Sequence, residues 1–350
     1  MPALSESEAF RLLAGWPELN PVSLERMLSH YGTARAVVQQ LGGGVALPPP
    51  CLPGENPGAR PRPLDWMARD GPAYPSRLHQ LACPPAVLYY LGDLKRWGEA
   101  PAAVAVVGTR QASSHALGIA RTLGRQLTER GVQVISGLAR GIDAAAHLGS
   151  LEASSMQYPP LAVVGCGLDR YYPPEHRYLQ QKIAARGAVI SEYPPSEPAM
   201  PHHFPARNRI IAALAHAVVV VEAPLASGTV STVDVALELG RDVLALPGRL
   251  GHKECAGSNK MLQDGAGLVT SLEDILEPLQ RRGWLPSDPA GSKPVDPRLQ
   301  KMGHEPMLPE ELCGPLKLSV FEVQAWLVRC QLEGSVVGRD DGTYQRTLAI

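Results

Sequence analysis

Very little in this chain would make it a disulfide-held, metal-bound or membrane-spanning protein. Its six cysteines, Cys51, Cys83, Cys166, Cys255, Cys313 and Cys330, lie far apart and none pair as C-x-x-C. That spacing argues against a disulfide framework and against a structural zinc site. No stretch approaches the ~18 apolar residues of a membrane span. The opening MPALSESEAFRLL has neither a basic region nor a long apolar run, so no secretory signal is read there. The expectation is a reduced cytoplasmic protein with no metal and no membrane contact. Aromatics are only 5% of residues, with three Phe, and the formal net charge is −1. No bulk basicity advertises a nucleic-acid partner, so any such site must come from local arrangement. The dinucleotide fingerprint G-x-G-x-x-G and a Walker lysine are both missing, which leaves a dinucleotide or nucleoside triphosphate cofactor without support.

What is present is a sizeable apolar fraction, 45% of 350 residues, against 19% charged, enough for a large core and too apolar for general disorder. Two Pro/Gly-rich stretches, residues 43–63 and 286–306, read as linkers. They leave a module over 1–42, a large domain over 64–285 and a small module over 307–350. The first module carries a capping-box pattern at Ser5 and Glu8 and a second helical pattern from Ser23. With three Arg against four Glu it is a poor phosphate binder. The last module reads as an amphipathic helix, Val320–Leu332, then a strand, an Asp-Gly turn and a strand, the pattern of a small winged helix. Its six acidic and four basic side chains make duplex binding doubtful and a protein-contact role at least as good a reading.

In the large domain, strands are predicted at Ala103–Val107, Val132–Ile135, Leu161–Val164, Ala188–Ile190, Val218–Val221, Asp242–Leu246 and Leu268–Val269. Helices fall between them at about His115–Arg130, Ile142–Glu152, Pro174–Arg186, Ala206–His216, Thr229–Gly240 and Ser258–Asp264. Continuous apolar strands alternating with helices imply a doubly wound α/β fold, a Rossmann-like, mostly parallel sheet covered on both faces. In such a sheet, ligands bind beyond the carboxyl ends of the strands, so the strand-end loops are the places to look for chemistry.

Those loops repeat one theme. Gly108, Thr109 and Arg110 follow the first strand; Gly137 and Arg140 follow the second; Gly165, Gly167 and Arg170 follow the third. Phe204, Arg207, Asn208 and Arg209 come next, then Ser227, Gly228 and Thr229 ahead of a helix. Glycine lets a backbone come close, helix N-terminal amides attract anions, and arginine clamps phosphate. No acidic residue occurs from Pro198 to Val221 or from Ala100 to Thr128. A single arginine here is as easily a structural clamp on carbonyls as a ligand contact; five of them together point to a cationic cleft. Asp143 and His147, four apart, are read as a helix cap and a packed histidine, since no third ligand accompanies them. Cys166 beside a helix start has no identifiable base and reads as a buried thiol. No catalytic residue is assigned.

The phrases YPSRLHQLACPPAVLYYLG, VAVVGTRQAS, SGLARGIDAAAH, VVGCGLDRYYPPEHRYL, FPARNRIIAALA and VEAPLASGT followed by ALELGRDVLALPG resemble, in order, the DprA (DNA-processing A, or Smf) family. The match runs from about Tyr74 to Asp274. The resemblance implies a helical SAM-like domain, an extended Rossmann domain and a small winged helix. It also implies a DNA-transformation factor that binds and protects incoming single-stranded DNA, forms homodimers and helps load RecA onto strands covered by SSB. The family's phosphate-binding arginine corresponds to Arg110. The family's cationic residue after Tyr-Pro is replaced here by Pro174, so either Arg170 or Arg177 substitutes or that contact is missing. A dimer contact around Asn259–Val269 also rests on the resemblance. The main alternative is a Rossmann-like nucleotide hydrolase of the lysine-decarboxylase-like type, using the Ser227–Thr229 loop and Glu238. Its P-G-G-x-G-T loop is absent. A protein-bridging scaffold is the third possibility.

Overall fold

The computed structural model describes residues 4–16, 19–41, 65–93, 100–286, 296–302, 305–332, 335–339 and 341–346. The linker read at 43–63 lies outside the described residues. The chain divides into two compact units, Met1–Leu285 and Pro286–Ile350.

In the first unit, nine strands form one sheet in the order β1-β2-β6-β5-β4-β3-β7-β8-β9. The strands are β1 (Asp65–Ala68), β2 (Val87–Gly92), β3 (Ala103–Val107), β4 (Gln133–Ser136), β5 (Leu161–Val164), β6 (Ala188–Ser191), β7 (Ala217–Val220), β8 (Asp242–Ala245) and β9 (Gly267–Leu268). From β6 to β9 every pairing is parallel. Beyond β6 the chain adds an antiparallel hairpin-like edge, β2 on β6 and β1 on β2. Those two strands go beyond the seven expected from the alternation, because an antiparallel pair needs no crossover α-helix and only a 3-10 turn, Ser76–Gln80, lies between them.

The helices are α1 (Glu6–Ala14), α2 (Pro21–Tyr31), α3 (Ala34–Gln40), α4 (Ser114–Glu129), α5 (Ile142–Leu151), α6 (Arg177–Arg186), α7 (His203–Leu214), α8 (Thr229–Glu238), α9 (Ala256–Gln263) and α10 (Glu273–Arg281). Side chains alternate across a strand, and the two faces are filled accordingly. Val163 and Ile190 pack with Ile210, Leu214 and Val233 from α7 and α8. Their neighbours Ala162, Val164 and Val189 pack on the other face with Leu179 and Ile183 from α6. Leu13, Leu24 and Val37 of the three N-terminal helices belong to this second cluster. The Ser5–Glu8 capping box forms as expected: Glu8 N–H donates to Ser5 Oγ (3.2 Å) and Ser5 N–H to the Glu8 carboxylate (2.8 Å).

Two boundaries shift in ways that bear on the site. The helix expected from Ala206 begins at His203, which puts Phe204 in its first turn. The helix expected from Pro174 opens as a 3-10 turn, Pro174–His176, before α6.

The second unit contains α11 (Pro309–Leu316), α12 (Val320–Leu332) and the hairpin β10 (Val336–Gly338)–β11 (Tyr344–Arg346). Leu299 and Met302, within the stretch read as a second linker, are buried with Leu312, Trp326 and Leu327. Trp326 Nε1 also donates to Asp296 (2.8 Å), so among the described residues the packing of this unit takes in the stretch from Asp296.

Candidate functional site

From β3 the chain steps outward through β4, β5 and β6, then returns to place β7 on the other side of β3. Loops diverge where strand order reverses, so a crevice opens beyond the carboxyl ends of β3 and β7. A groove of about 550 Å³ lies there, lined by Gly108–Arg110, Tyr172, Phe204, Asn208 and Ser227–Thr229. Its inner end continues to Gly137, Arg140, Gly165 and Cys166.

Arg110 stands at the mouth of this groove. Its side chain is exposed, and its guanidinium carbon lies 4.7 Å from the centre of the Phe204 ring. Among the described residues it has no carboxylate partner. Phe204 in turn meets Tyr172, ring centroids 5.1 Å apart and tilted by 36°. A cation, a half-buried Phe and an exposed Tyr therefore share one wall.

The other expected arginines take different places. Arg140 is paired with Glu175 and Arg209 with Glu192. Glu192 is itself half-buried, and the desolvation pushes its carboxyl up despite Arg209. Arg207 is only 3% exposed, and its Nη1 donates to the Val163 carbonyl. Burial pulls its guanidinium down to about 10, with Asp143 opposing the shift. Arg170 is exposed and without a carboxylate partner among the described residues, but it lines neither end of the groove.

The glycines are explained more by protein contacts than by a ligand. A Cβ on Gly137 would lie 1.8 Å from Arg207 Nη1, so this position must be glycine for the buried guanidinium to fit. One on Gly108 would meet Ile142 and the Glu222 carbonyl at 2.6 and 2.8 Å. Gly167 N–H donates to Glu197 O (3.0 Å), whereas Gly165 and Gly228 have room around them. Several loop amides are already committed. Thr109 N–H goes to Glu222 O (2.7 Å), Gly137 N–H to Asp143 (3.1 Å) and Thr229 N–H to Ser227 Oγ (3.1 Å). Asn208 Nδ2 donates to Gly228 O (3.0 Å), tying α7 to the serine loop. Side chains, chiefly Arg110, Phe204 and Tyr172, are what the groove offers.

Asp143 does not cap its helix as the sequence suggests: Gly141 is the N-cap and no side chain caps it, while the buried Asp143 carboxylate in the first turn accepts from the loop amides of Gly137 (3.1 Å) and Ala139 (3.4 Å). Burial pushes its carboxyl up, against the pull of Arg207 and the two loop amides. His147 is fully buried one turn on, and neither ring nitrogen has a hydrogen-bond partner of normal geometry. Burial drives the imidazole down to about 3, opposed by the Ser136 carbonyl and reinforced by Arg207 and His176. Burial also pushes the Cys166 thiol up to about 11, the reverse of activation. Among the described residues no group of three His, Cys, Asp or Glu is placed to hold a metal ion. No helix among them is long and apolar enough to cross a membrane.

Sequence reasoning missed Glu222. Its carboxylate accepts from Ser113 N–H (2.8 Å) and Oγ (3.0 Å), so it pins the Arg110 loop from beneath. An acid ending an apolar strand was the available signal. Glu238 is exposed at the far end of α8, about 14 Å along the axis from Thr229 at 1.5 Å per residue, and does not line the groove.

A model of the family described as DNA recombination-mediator protein A matches residues 66–280, the sheet and every loop of the groove. The chain belongs to the DNA recombination-mediator protein A family. Protein Smf of Synechocystis is 34% identical over 321 residues, 80% of each chain. The DNA processing protein DprA of Streptococcus pneumoniae is 41% identical over 206 residues, 58% of this chain and 70% of that one. A solved structure of S. pneumoniae DprA superposes with a TM-score of 0.58 at 30% identity, covering 78% of this chain and 93% of the other. DprA of Helicobacter pylori, solved for its single-stranded DNA binding mode, gives 0.54 at 31% identity, over 60% and 94%. The part of this chain that matches the family model leaves out α1–α3 and the second unit.

Proposed function

We propose that this chain binds single-stranded DNA in the groove at the β3/β7 reversal and acts by binding, without catalysis. The observation that carries this is Arg110: an exposed guanidinium with no ion-pair partner among the described residues, set over the Phe204 ring at the mouth of the groove. A phosphate sits on Arg110 while a neighbouring base stacks on Phe204 or Tyr172. Every base has a π-face, so binding is independent of sequence. A groove of about 550 Å³ is the size of a small-molecule site. It takes splayed nucleotides in preference to a paired helix. The H. pylori relative's single-stranded DNA binding supports the same assignment.

In this reading the protein works in the cytoplasm during natural transformation, where it protects incoming strands and helps load RecA onto DNA covered by SSB. Membership in a recombination-mediator family supports that role. The position of Glu238, away from the serine loop, weighs against the nucleotide-hydrolase alternative. We also assign a homodimer to the far edge of the sheet. There β9 is a terminal strand, Leu268 is 53% exposed, and Leu225 and Leu237 stand out beside a concavity of about 990 Å³. An open apolar strand edge favours pairing with another chain. Leu268→Glu should lower the mass seen by light scattering on dilution.

The deciding experiment is fluorescence anisotropy with single-stranded and duplex oligonucleotides at two salt concentrations. Wild type should prefer the single strand, and Arg110→Glu should weaken it by tenfold or more. Arg110→Ala should lower the log–log salt slope by about 0.7, the share of one single-strand phosphate. Equal binding by wild type and Arg110→Glu refutes the site.

A further inference from the structure

Beyond the groove, the chain carries an exposed aromatic and basic track that none of the groove residues explain. Tyr171 and Tyr172 end the β5 loop, and α6 follows after one 3-10 turn. The sequence of α6, RYLQQKIAAR, contains three cations and no acid. Its buried side is Leu179, Gln180 and Ile183, so Arg177, Tyr178, Gln181 and Lys182 face outward. Tyr178 is 67% exposed. Two ring–cation pairs stand along this face: Arg177 over Tyr171 at 5.1 Å and Lys182 over Tyr178 at 4.5 Å. Gln181 Nε2 reaches Tyr171 Oη (3.5 Å) and holds that ring against the helix.

An outward cationic helix face is ordinarily just solvated. Exposed tyrosines are what set this one apart. Aromatics are 5% of the chain. Among the described residues only Tyr31, Tyr172, Tyr178 and Phe321 stand out as exposed aromatic side chains. Tyr178, the most exposed tyrosine of the four, lies here, and Tyr172 of the groove wall adjoins the half-buried Tyr171. The nearest acid, Glu175, is neutralised by Arg140. The track also continues the groove: Phe204 meets Tyr172, Tyr171 is its chain neighbour, and Tyr178 is one helical step beyond Arg177.

We propose that a single strand leaving the groove continues along α6, with phosphates on Arg177 and Lys182 and bases stacked on Tyr171 and Tyr178. This rests on the single-strand reading of the groove and lengthens its footprint. Rings interleaved with cations are what a sequence-tolerant strand path requires.

The test compares a short oligothymidine of about six nucleotides, filling the groove alone, with one of about twenty. The variant is Tyr178→Ala combined with Lys182→Ala, both exposed and outside the groove, with thermal melting to confirm the fold. The variant should bind the short strand like wild type and the long strand about tenfold more weakly, with a shallower salt slope. A strand carrying 5-bromodeoxyuridine should crosslink to Tyr178 when long and not when short. Unchanged long-strand affinity, or equal loss on both lengths, overturns the track. Arg110→Glu is measured alongside: if it leaves short-strand binding intact, the groove assignment is what fails, whatever α6 does.

Discussion

Replacing His147 by leucine probes the floor of the groove through its response to acid. His147 lies fully buried beneath the Gly137 loop, near Arg207 and Asp143, with its imidazole held down to about 3. In the unfolded chain an ordinary histidine titrates near 6.5. Between those values the unfolded state takes up a proton that the folded state refuses, so stability falls as pH drops through that window. One pH unit inside the window is about 1.4 kcal/mol, and going from pH 7 to pH 5 costs about 2 kcal/mol for this residue. His216 behaves in the same direction, also held near 3, chiefly by burial. Wild type therefore loses about 4 kcal/mol through the two histidines, and His147→Leu about half of that. Asp143, whose carboxyl burial pushes up, acts with the opposite sign, but it is present in both proteins and cancels in the comparison. At pH 7 the substitution should be neutral or slightly stabilising, because it removes two buried nitrogens without good partners. Urea unfolding at pH 7 and pH 5 measures this. Parallel losses in wild type and variant, within about 0.5 kcal/mol, would refute the claim that His147 is held neutral in the fold.

Further outcomes follow from the same geometry. Gly137→Ala puts a methyl 1.8 Å from the Arg207 guanidinium; it should destabilise by about 2 kcal/mol or more in a thermal or urea melt, as overpacking does. A normal melt would mean that Arg207 has another resting place. Phe204→Ala should cost about 1–3 kcal/mol of single-strand affinity, the worth of one stacked base, with an unchanged salt slope. A change in slope instead would show that Phe204 acts by positioning Arg110. Arg140→Ala, whose cation already serves Glu175, should weaken binding less than Arg110→Ala in the same anisotropy titration.

Much of the core was legible because it is written locally. A parallel strand buried on both faces needs a continuous apolar run, and the helix joining it to the next strand has its own period. Val104–Val107 and Val218–Val220 carry that signal without any knowledge of partners. The strand-end rule then points to the carboxyl-end edge of the sheet, where the fold brings Arg110 and Phe204 together. The antiparallel strands β1 and β2 escaped because an antiparallel pair needs no crossover α-helix, and only a short 3-10 turn, Ser76–Gln80, lies between them.

What tertiary structure alone decided was the state of each named side chain. Five arginines looked alike along the sequence, yet Arg140 and Arg209 find carboxylates 35 and 17 residues away, and Arg207 is drawn inside. Gly137 looked like a phosphate loop and proves to be the space that Arg207 occupies. Composition and period are summed over neighbours in the chain, so they report an element and the sheet edge it reaches. Whether a charge is spent or free depends on which distant residue the fold sets beside it, and no local pattern carries that.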